Sequence, residues 1–231
     1  MPRFLVENAG MIDITKSGYF ITGSDTDVGK TYIGCELIRQ MRQLGTAIEV
    51  RKPAESGCIP DETGQLIAAD ATKLSAANKA AESMSRVAAN RFKAALAPHR
   101  AARLEGRKLL IADLIDACSR DDDDKLLFVE GAGGFYSPIA EDGLNADLAS
   151  CLQLSTIIVV NDRVGAVNQA LLTIQAVESR YLPIAAVILN RVEAEHEKGM
   201  DNVADLVPHC TYPVFHCDYQ QVLPPIFHAS R

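Results

Sequence analysis

Residues Gly23-Ser24-Asp25-Thr26-Asp27-Val28-Gly29-Lys30-Thr31 stand between a short apolar run, Tyr19-Phe20-Ile21, and a helical pattern that starts near Thr31. A strand, a glycine loop and a helix in that order make a cradle for phosphate. Backbone N–H groups of the loop and of the first helical turn converge on one point, where the helix dipole adds partial positive charge. Lys30 adds a full charge, and the Thr31 hydroxyl is placed for Mg²⁺. Five residues separate Gly23 from Gly29, and Ser24 stands where the common motif has its first glycine, so this is a variant P-loop. An ordinary strand-to-helix turn with a surface lysine is the plain alternative, and the Gly29-Lys30-Thr31 triplet in this context argues against it.

A loop of that kind needs a parallel sheet to hold it, and the rest of the chain supplies the pattern. Apolar runs alternate with helical stretches from start to finish, as stacked βαβ units do. Strands are predicted over 19–22, 47–51, 126–129, 156–160, 184–189 and 212–215, with helices near 31–44, 64–75, 79–91, 108–119, 145–153, 166–180 and 198–206. Runs such as Ile157-Ile158-Val159-Val160 are continuously apolar, as strands covered on both faces must be. The expected fold class is α/β, a mainly parallel central sheet with helices on both faces, of the P-loop NTPase type. With 231 residues and no internal repeat or Pro/Gly/Ser-rich linker, one domain over residues 1–231 is expected, residues 1–18 forming an extension as an edge strand or an arm.

Composition narrows the partners. A net charge of -7 opposes binding to nucleic acid or anionic lipid. No apolar run reaches the ~18 residues of a membrane helix, and Glu7, Asp13 and Lys16 stand where a signal peptide would be apolar, which points to the cytosol. Six cysteines without a C-x-x-C pair fit free thiols in a reducing compartment. The doublets His209-Cys210 and His216-Cys217 match no standard zinc spacing, and their cysteines are expected to pack inside the last strand. The acidic run Asp121–Asp124 reads as a solvated turn.

Ligands of open α/β sheets bind outside the carboxyl ends of the strands. Five polar segments follow strands here: the phosphate loop, Lys52-Pro53-Ala54-Glu55-Ser56-Gly57, Glu130-Gly131-Ala132-Gly133-Gly134, 161–168, and Asn190. Glu130 ends an apolar run where a P-loop enzyme places a carboxylate for Mg²⁺, and the glycines behind it let backbone approach a ligand. Asp70 is an ordinary helix-surface acid unless a second carboxylate for Mg²⁺ is needed. Lys52 is the telling residue: a second ammonium near Lys30 is costly unless strong negative charge lies between them.

These residues together resemble the dethiobiotin synthetase family. The resemblance is carried by the five-spacer loop, Lys52-Pro53 with Ser56-Gly57, Val129 to Gly134, Gly165 with Asn168-Gln169-Ala170-Leu171-Leu172-Thr173, and Asn190, over roughly residues 18 to 192. It implies an ATP- and Mg²⁺-dependent cyclo-ligase that turns 7,8-diaminononanoate and CO₂ into dethiobiotin through a carbamate and a carbamic-phosphoric anhydride. By resemblance, the nucleotide meets Gly23, Asp25, Thr26, Asp27, Val28, Gly29, Lys30, Thr31, Glu130, Gly131, Gly133, Gly134 and, at the adenine edge, Asn190. Thr26 and Lys30 face the phosphates, and Lys52, helped by Ser56, holds the carbamate and γ-phosphate. Asp27 stands where relatives often carry Glu, a carboxylate near the reacting groups. Thr31, Asp70 and Glu130 hold Mg²⁺. The resemblance further implies a homodimer in which the Gly165 to Asn168 loop holds the substrate carboxylate across the interface. Two segments depart from the family pattern: Ala94-Ala95-Leu96-Ala97-Pro98-His99 on the substrate side, and the stretch after Asn190, where the family's Gly-x-Ile-Pro is not evident and Tyr212-Pro213-Val214-Phe215 stands nearby. A P-loop switch ATPase and an ATP-dependent amidotransferase synthetase are the other readings. The first would place a signature lysine within 24–28, which has none, and the second would need a further glutaminase domain.

Overall fold

The computed structural model describes residues 10–15, 17–80, 82–195 and 197–228. Six strands form the central sheet: β1 Gly18–Gly23, β2 Ile48–Arg51, β3 Leu126–Gly134, β4 Ser155–Asn161, β5 Ile184–Asn190 and β6 Val214–Cys217. Their spatial order is β6-β5-β4-β1-β3-β2, and every pairing is parallel. All the strand ends that precede the five polar segments therefore lie on one edge.

Alternation along each strand divides the core in two. Phe20, Val129, Ile158, Val160 and Val187 face one layer, packed with α4 Ile111–Ala117, α5 Asn145–Leu152 and α6 Ala166–Glu178. Tyr19, Ile21, Phe128, Ile157 and Ile188 face the other, packed with α1 Lys30–Gln43 and α2 Ala69–Asn78. With both faces covered, the strands bury nearly every side chain, which is why they read as unbroken Val, Ile and Leu.

Several predicted elements are corrected. The third strand does not stop at Val129 but continues through Glu130 to Gly134, because residues without bulky side chains can pass close beside the phosphate loop and still pair, Gly23 opposite Gly134. Asn145, fully buried, holds this run in place: its side chain accepts from Ala132 N at 3.0 Å and donates to the carbonyls of Ala132 and Gly134 at 2.6 and 3.1 Å. The helix predicted from 64 begins only at Ala69, since Leu66–Ile67 pairs with Ile59–Pro60.

No continuous helix fills 79–91, of which Ala81 lies outside the described residues. Lys79 turns left-handed at φ 54°, a single turn follows at Met84–Val87, and Asn90–Arg91 pairs with Ala54–Glu55. The chain is pulled down onto the edge strand: Asn78 donates to Ile48 O, Val50 N donates to Glu82, and Lys52 N donates to Val87 O. These contacts satisfy backbone groups that an open sheet edge would expose. A further helix, α3 Pro98–Leu104, with Pro98 in its first turn, lies outside the expected elements. The helix expected over 198–206 is confined to Asn202–Leu206, started by the Asp201 side chain accepting from Ala204 N, and β6 starts and ends two residues later than its predicted span of 212–215.

Of the N-terminal extension, residues 1–9 and 16 lie outside the described residues. Residues 10–15 add no strand to the sheet; Ile12 makes one bridge to Phe227, and the Asp13 carbonyl accepts from the Tyr19 hydroxyl at 2.9 Å. Nor is the turn at Asp121 merely solvated, because its carboxylate joins Arg86 at 2.7 Å and Arg51 at 3.2 Å. All six cysteines are free thiols.

Candidate active site

The loop between β1 and α1 is shaped by backbone that only certain residues tolerate. Asp27 and Gly29 both adopt left-handed conformations, at φ 57° and 87°. A β-carbon on Gly29 would lie 2.1 Å from the Asn190 amide nitrogen, and one on Gly134 would lie 3.2 Å from the Ser24 carbonyl. Glycine is required at 29, where the backbone is left-handed and the Asn190 side chain presses on the loop, and at 134 a side chain would crowd the Ser24 carbonyl. The Asn190 amide donates to Val28 O at 2.9 Å, and the Lys30 ammonium reaches back to Asp25 O at 2.9 Å. Asp25, Thr26 and Asp27 are exposed at the loop crest. No acidic residue occupies the first turn of α1, so its N-terminal dipole is left for an anion.

Three strand ends meet beneath the loop. Glu130, 1% exposed, accepts at Oε1 from the Thr31 hydroxyl at 2.8 Å and from the Lys52 ammonium at 2.6 Å. Lys52 also donates to Gly131 O at 2.9 Å and lies 3.9 Å from Asp70. Burial alone would push the Lys52 pKa down, but the charges of Glu130 and Asp70 outweigh it and hold the group above its ordinary value. Lys30 is different. Burial, and after it the positive charge of Lys52, lowers its pKa to about 8. The two ammonium groups thus feel each other, as the sequence anticipated.

Glu55 was missed. Its carboxylate accepts from the N–H groups of Asp70 and Ala71, both at 2.9 Å, and so fixes the start of α2 and the position of Asp70 beside Lys52. Burial raises its pKa against the pull of those donors. Only its place after Lys52-Pro53 could have marked it. Ser56, half-buried, follows on the same segment. Gly133 and Gly134 abut the loop near Thr26 and Ser24. Gly165, at φ 90°, and Asn168 are exposed at the start of α6, and no hydrogen bond joins them to the phosphate loop among the described residues.

A cavity of about 360 Å³ opens beside the loop, lined by Ser24, Asp25, Gly134, Phe135, Tyr136, Ser137, Leu172 and Ala176 among others. Another, of about 300 Å³, lies away from the phosphate loop, among Arg42, Glu49, Glu82, Arg86, Asp121 and Lys125. Arg86 pairs with Asp121 there, Glu49 and Glu82 pair with the buried Arg51, and none of the loop residues lines it. His216 is engaged with a carboxylate: its Nε2 lies 3.0 Å from Asp162, which is buried and accepts from Asn202 at 2.7 Å. Cys217 is buried in β6, whereas Cys210 lies before that strand and is only partly buried. No helix among the described residues is long and apolar enough to cross a membrane.

A parallel sheet with helices on both faces, a glycine loop, and a lysine and threonine opening the following helix define a P-loop nucleotide-binding protein. Its fold is shared with the cell division protein FtsY of Thermotoga maritima, at a TM-score of 0.50 and 14% identity over 94% of this chain and 68% of that one. Residues 17–217 match the AAA domain family. Sequence relatives are more specific. The ATP-dependent dethiobiotin synthetase BioD of Vesicomyosocius okutanii subsp. Calyptogena okutanii is 42% identical over 76% of this chain and 79% of its own length. Those of Ruthia magnifica subsp. Calyptogena magnifica and Rhodopirellula baltica are 39% and 37% identical, over 79% and 85% of this chain and 83% and 81% of theirs. The chain belongs to the ATP-dependent dethiobiotin synthetase family, and with it to the ligases.

Proposed function

We propose that this chain closes the ureido ring of dethiobiotin from 7,8-diaminononanoate, CO₂ and ATP, as a cytosolic homodimer of single-domain subunits. The observation that carries the reading is the pair of buried ammonium groups, Lys30 and Lys52, gathered under one phosphate loop around Glu130. Two such charges in a low-dielectric site call for a ligand with concentrated negative charge, and a triphosphate next to a carbamate provides it.

One substrate amine adds to CO₂ and loses a proton, giving a carbamate. A carbamate oxygen then attacks the γ-phosphorus with ADP leaving, and the second amine attacks the carbamoyl carbon, expelling phosphate and closing the ring. The chain's residues position these groups and stabilise oxygen charge. Loop N–H groups, Thr26 and Lys30 bind the phosphates, Lys52 with Ser56 orients carbamate against γ-phosphate, and Asp27 faces the reacting groups. The cavity walled by Phe135, Tyr136, Leu172 and Ala176 suits the alkyl chain of the diamine. Exposed Val164 and Leu172, at 66% and 58%, flank the Gly165 to Asn168 loop and support a partner subunit there, with that loop taking the substrate carboxylate.

Among the described residues no three His, Cys, Asp or Glu side chains form a metal centre. Mg²⁺ does not need one, since it is held by one or two carboxylates together with substrate phosphates. Thr31, Glu130 and Asp70 fit that need: the Thr31 hydroxyl already meets Glu130 at Oε1, the carboxylate oxygen on the loop side, at 2.8 Å, and Asp70 lies 3.9 Å from the Lys52 ammonium on the same oxygen. Bound there, Mg²⁺ would neutralise charge on the β- and γ-phosphate oxygens.

The test is incubation with diaminononanoate, labelled bicarbonate, ATP and Mg²⁺, with mass detection of the cyclic urea. Label in the ring is expected. Phosphate release that proceeds equally without the diamine would refute the reading. In the same assay Lys52→Ala should bind nucleotide by calorimetry yet fail to form product, and unchanged product formation would remove Lys52 from the reaction.

A further inference from the structure

We infer that Lys52 is a reserved group, released to the reacting centre only when a divalent cation takes its place on Glu130. In the free chain one carboxylate oxygen, Glu130 Oε1, carries both the Lys52 ammonium at 2.6 Å and the Thr31 hydroxyl at 2.8 Å. Three side chains of the proposed site, Lys52, Thr31 and Glu130, are therefore tied to one another. The other oxygen, Oε2, has no partner and points into packing: a β-carbon on Gly34 would lie 3.4 Å from it and 3.0 Å from Leu74. There is no room for a hydrated cation on that side. The oxygen that faces the loop is the one Lys52 holds.

Mg²⁺ takes its oxygens at ~2.0–2.1 Å in near-octahedral geometry. It cannot share Oε1 with an ammonium already at 2.6 Å without placing two positive charges against each other. Cation and Lys52 thus exchange on Glu130. Lys52 keeps a second anchor, the Gly131 carbonyl at 2.9 Å, and Asp70 at 3.9 Å, so the group swings rather than leaves. The consequence is an order of assembly: the metal–nucleotide complex arms the lysine before the carbamate is engaged. This rests on the proposed metal–nucleotide site but asks nothing of the ligase chemistry itself.

The test is lysine side-chain NMR on the full chain, with Lys52 assigned through Lys52→Arg. Two states are compared with the free protein: a non-hydrolysable ATP analogue with chelator, and the same analogue with Mg²⁺. The Lys30 signal should shift in both states, and the Lys52 signal should make its main shift only when Mg²⁺ is present. In Glu130→Gln, where the carboxylate charge is gone, Lys52 should already sit at the released position without metal. A Lys52 signal that moves equally in both states, or in neither while Lys30 responds, overturns the exchange and leaves the phosphate cradle standing. A Lys30 signal that ignores the nucleotide overturns both.

Discussion

Arg51 and Lys52 are neighbours in the chain, both buried, and they live in opposite electrostatic worlds. Arg51, with its side chain fully buried, donates to Glu82 at 2.6 Å and Glu49 at 2.8 Å and meets Asp121 at 3.2 Å, while Arg86 shares Asp121. Its charge is spent within the fold. One residue further on, Lys52 has a single close carboxylate, and Lys30 beside it has none within ion-pair distance among the described residues. The first cluster is closed and structural; in the second, Glu130 and Asp70 match Lys52, and Lys30 is left without a carboxylate partner among the described residues. The fold saturates Arg51 with carboxylates and leaves Lys30 without one, and a buried cation of that kind is a candidate for a ligand's charge.

The largest way to break that contrast is Arg51→Ala. Three carboxylates would lose their buried partner, and the loss should cost about 3–5 kcal/mol in urea unfolding. A cost below ~1 kcal/mol would mean that the network is not structural. The mirror experiment is Lys30→Ala, which removes a charge that holds no carboxylate. Turnover should fall at least about 10²-fold, as when one preorganised donor is lost, while thermal stability is kept. Near-normal turnover would remove Lys30 from the mechanism, and a collapse of stability would make Lys30 as structural as Arg51.

The pH dependence sharpens the comparison further. Lys30 in the free chain titrates at about 8, below its ordinary value because of burial and Lys52. Phosphates favour its charged form, so nucleotide affinity should be flat below pH 8 and fall by about tenfold per unit above it, with proton uptake on binding seen by calorimetry. Stability of the free chain has the opposite sign: a folded-state pKa below the unfolded one means that this group's contribution improves as pH rises from about 8 towards 10.5. An affinity unchanged between pH 7 and 9.5 would show that Lys30 does not lose its proton there. The smallest effect is expected at the surface. Arg103→Ala breaks an exposed pair with Glu141 at 3.1 Å and should change stability by less than about 1 kcal/mol.

The sheet and the phosphate loop were legible because their signals are local. Three of the six strand runs, 126–129, 156–160 and 184–189, carry their evidence in consecutive Val, Ile and Leu, and the loop in the spacing of Gly23, Gly29 and Lys30. What escaped depends on distant partners. The continuation of β3 through Gly131-Ala132-Gly133-Gly134 has no apolar signal, and pairs because Asn145, eleven residues beyond Gly134, bonds its backbone. The helical expectation over 79–91 failed because Glu82 is claimed by Arg51 and Val50, some thirty residues earlier in the chain. Within the site, the strand-end rule located Lys52, Glu130 and Asn190. The same rule said nothing of Glu55 as the group that starts α2, nor of the Asn190 amide being occupied by Val28 O.

That last contact has a thermodynamic consequence. The loop is tied down at Asp25 by Lys30, at Val28 by Asn190 and along its flank by Gly134, all before any anion arrives. A segment with so little freedom left surrenders little entropy when it closes on a ligand, so the favourable enthalpy of its contacts is retained as affinity.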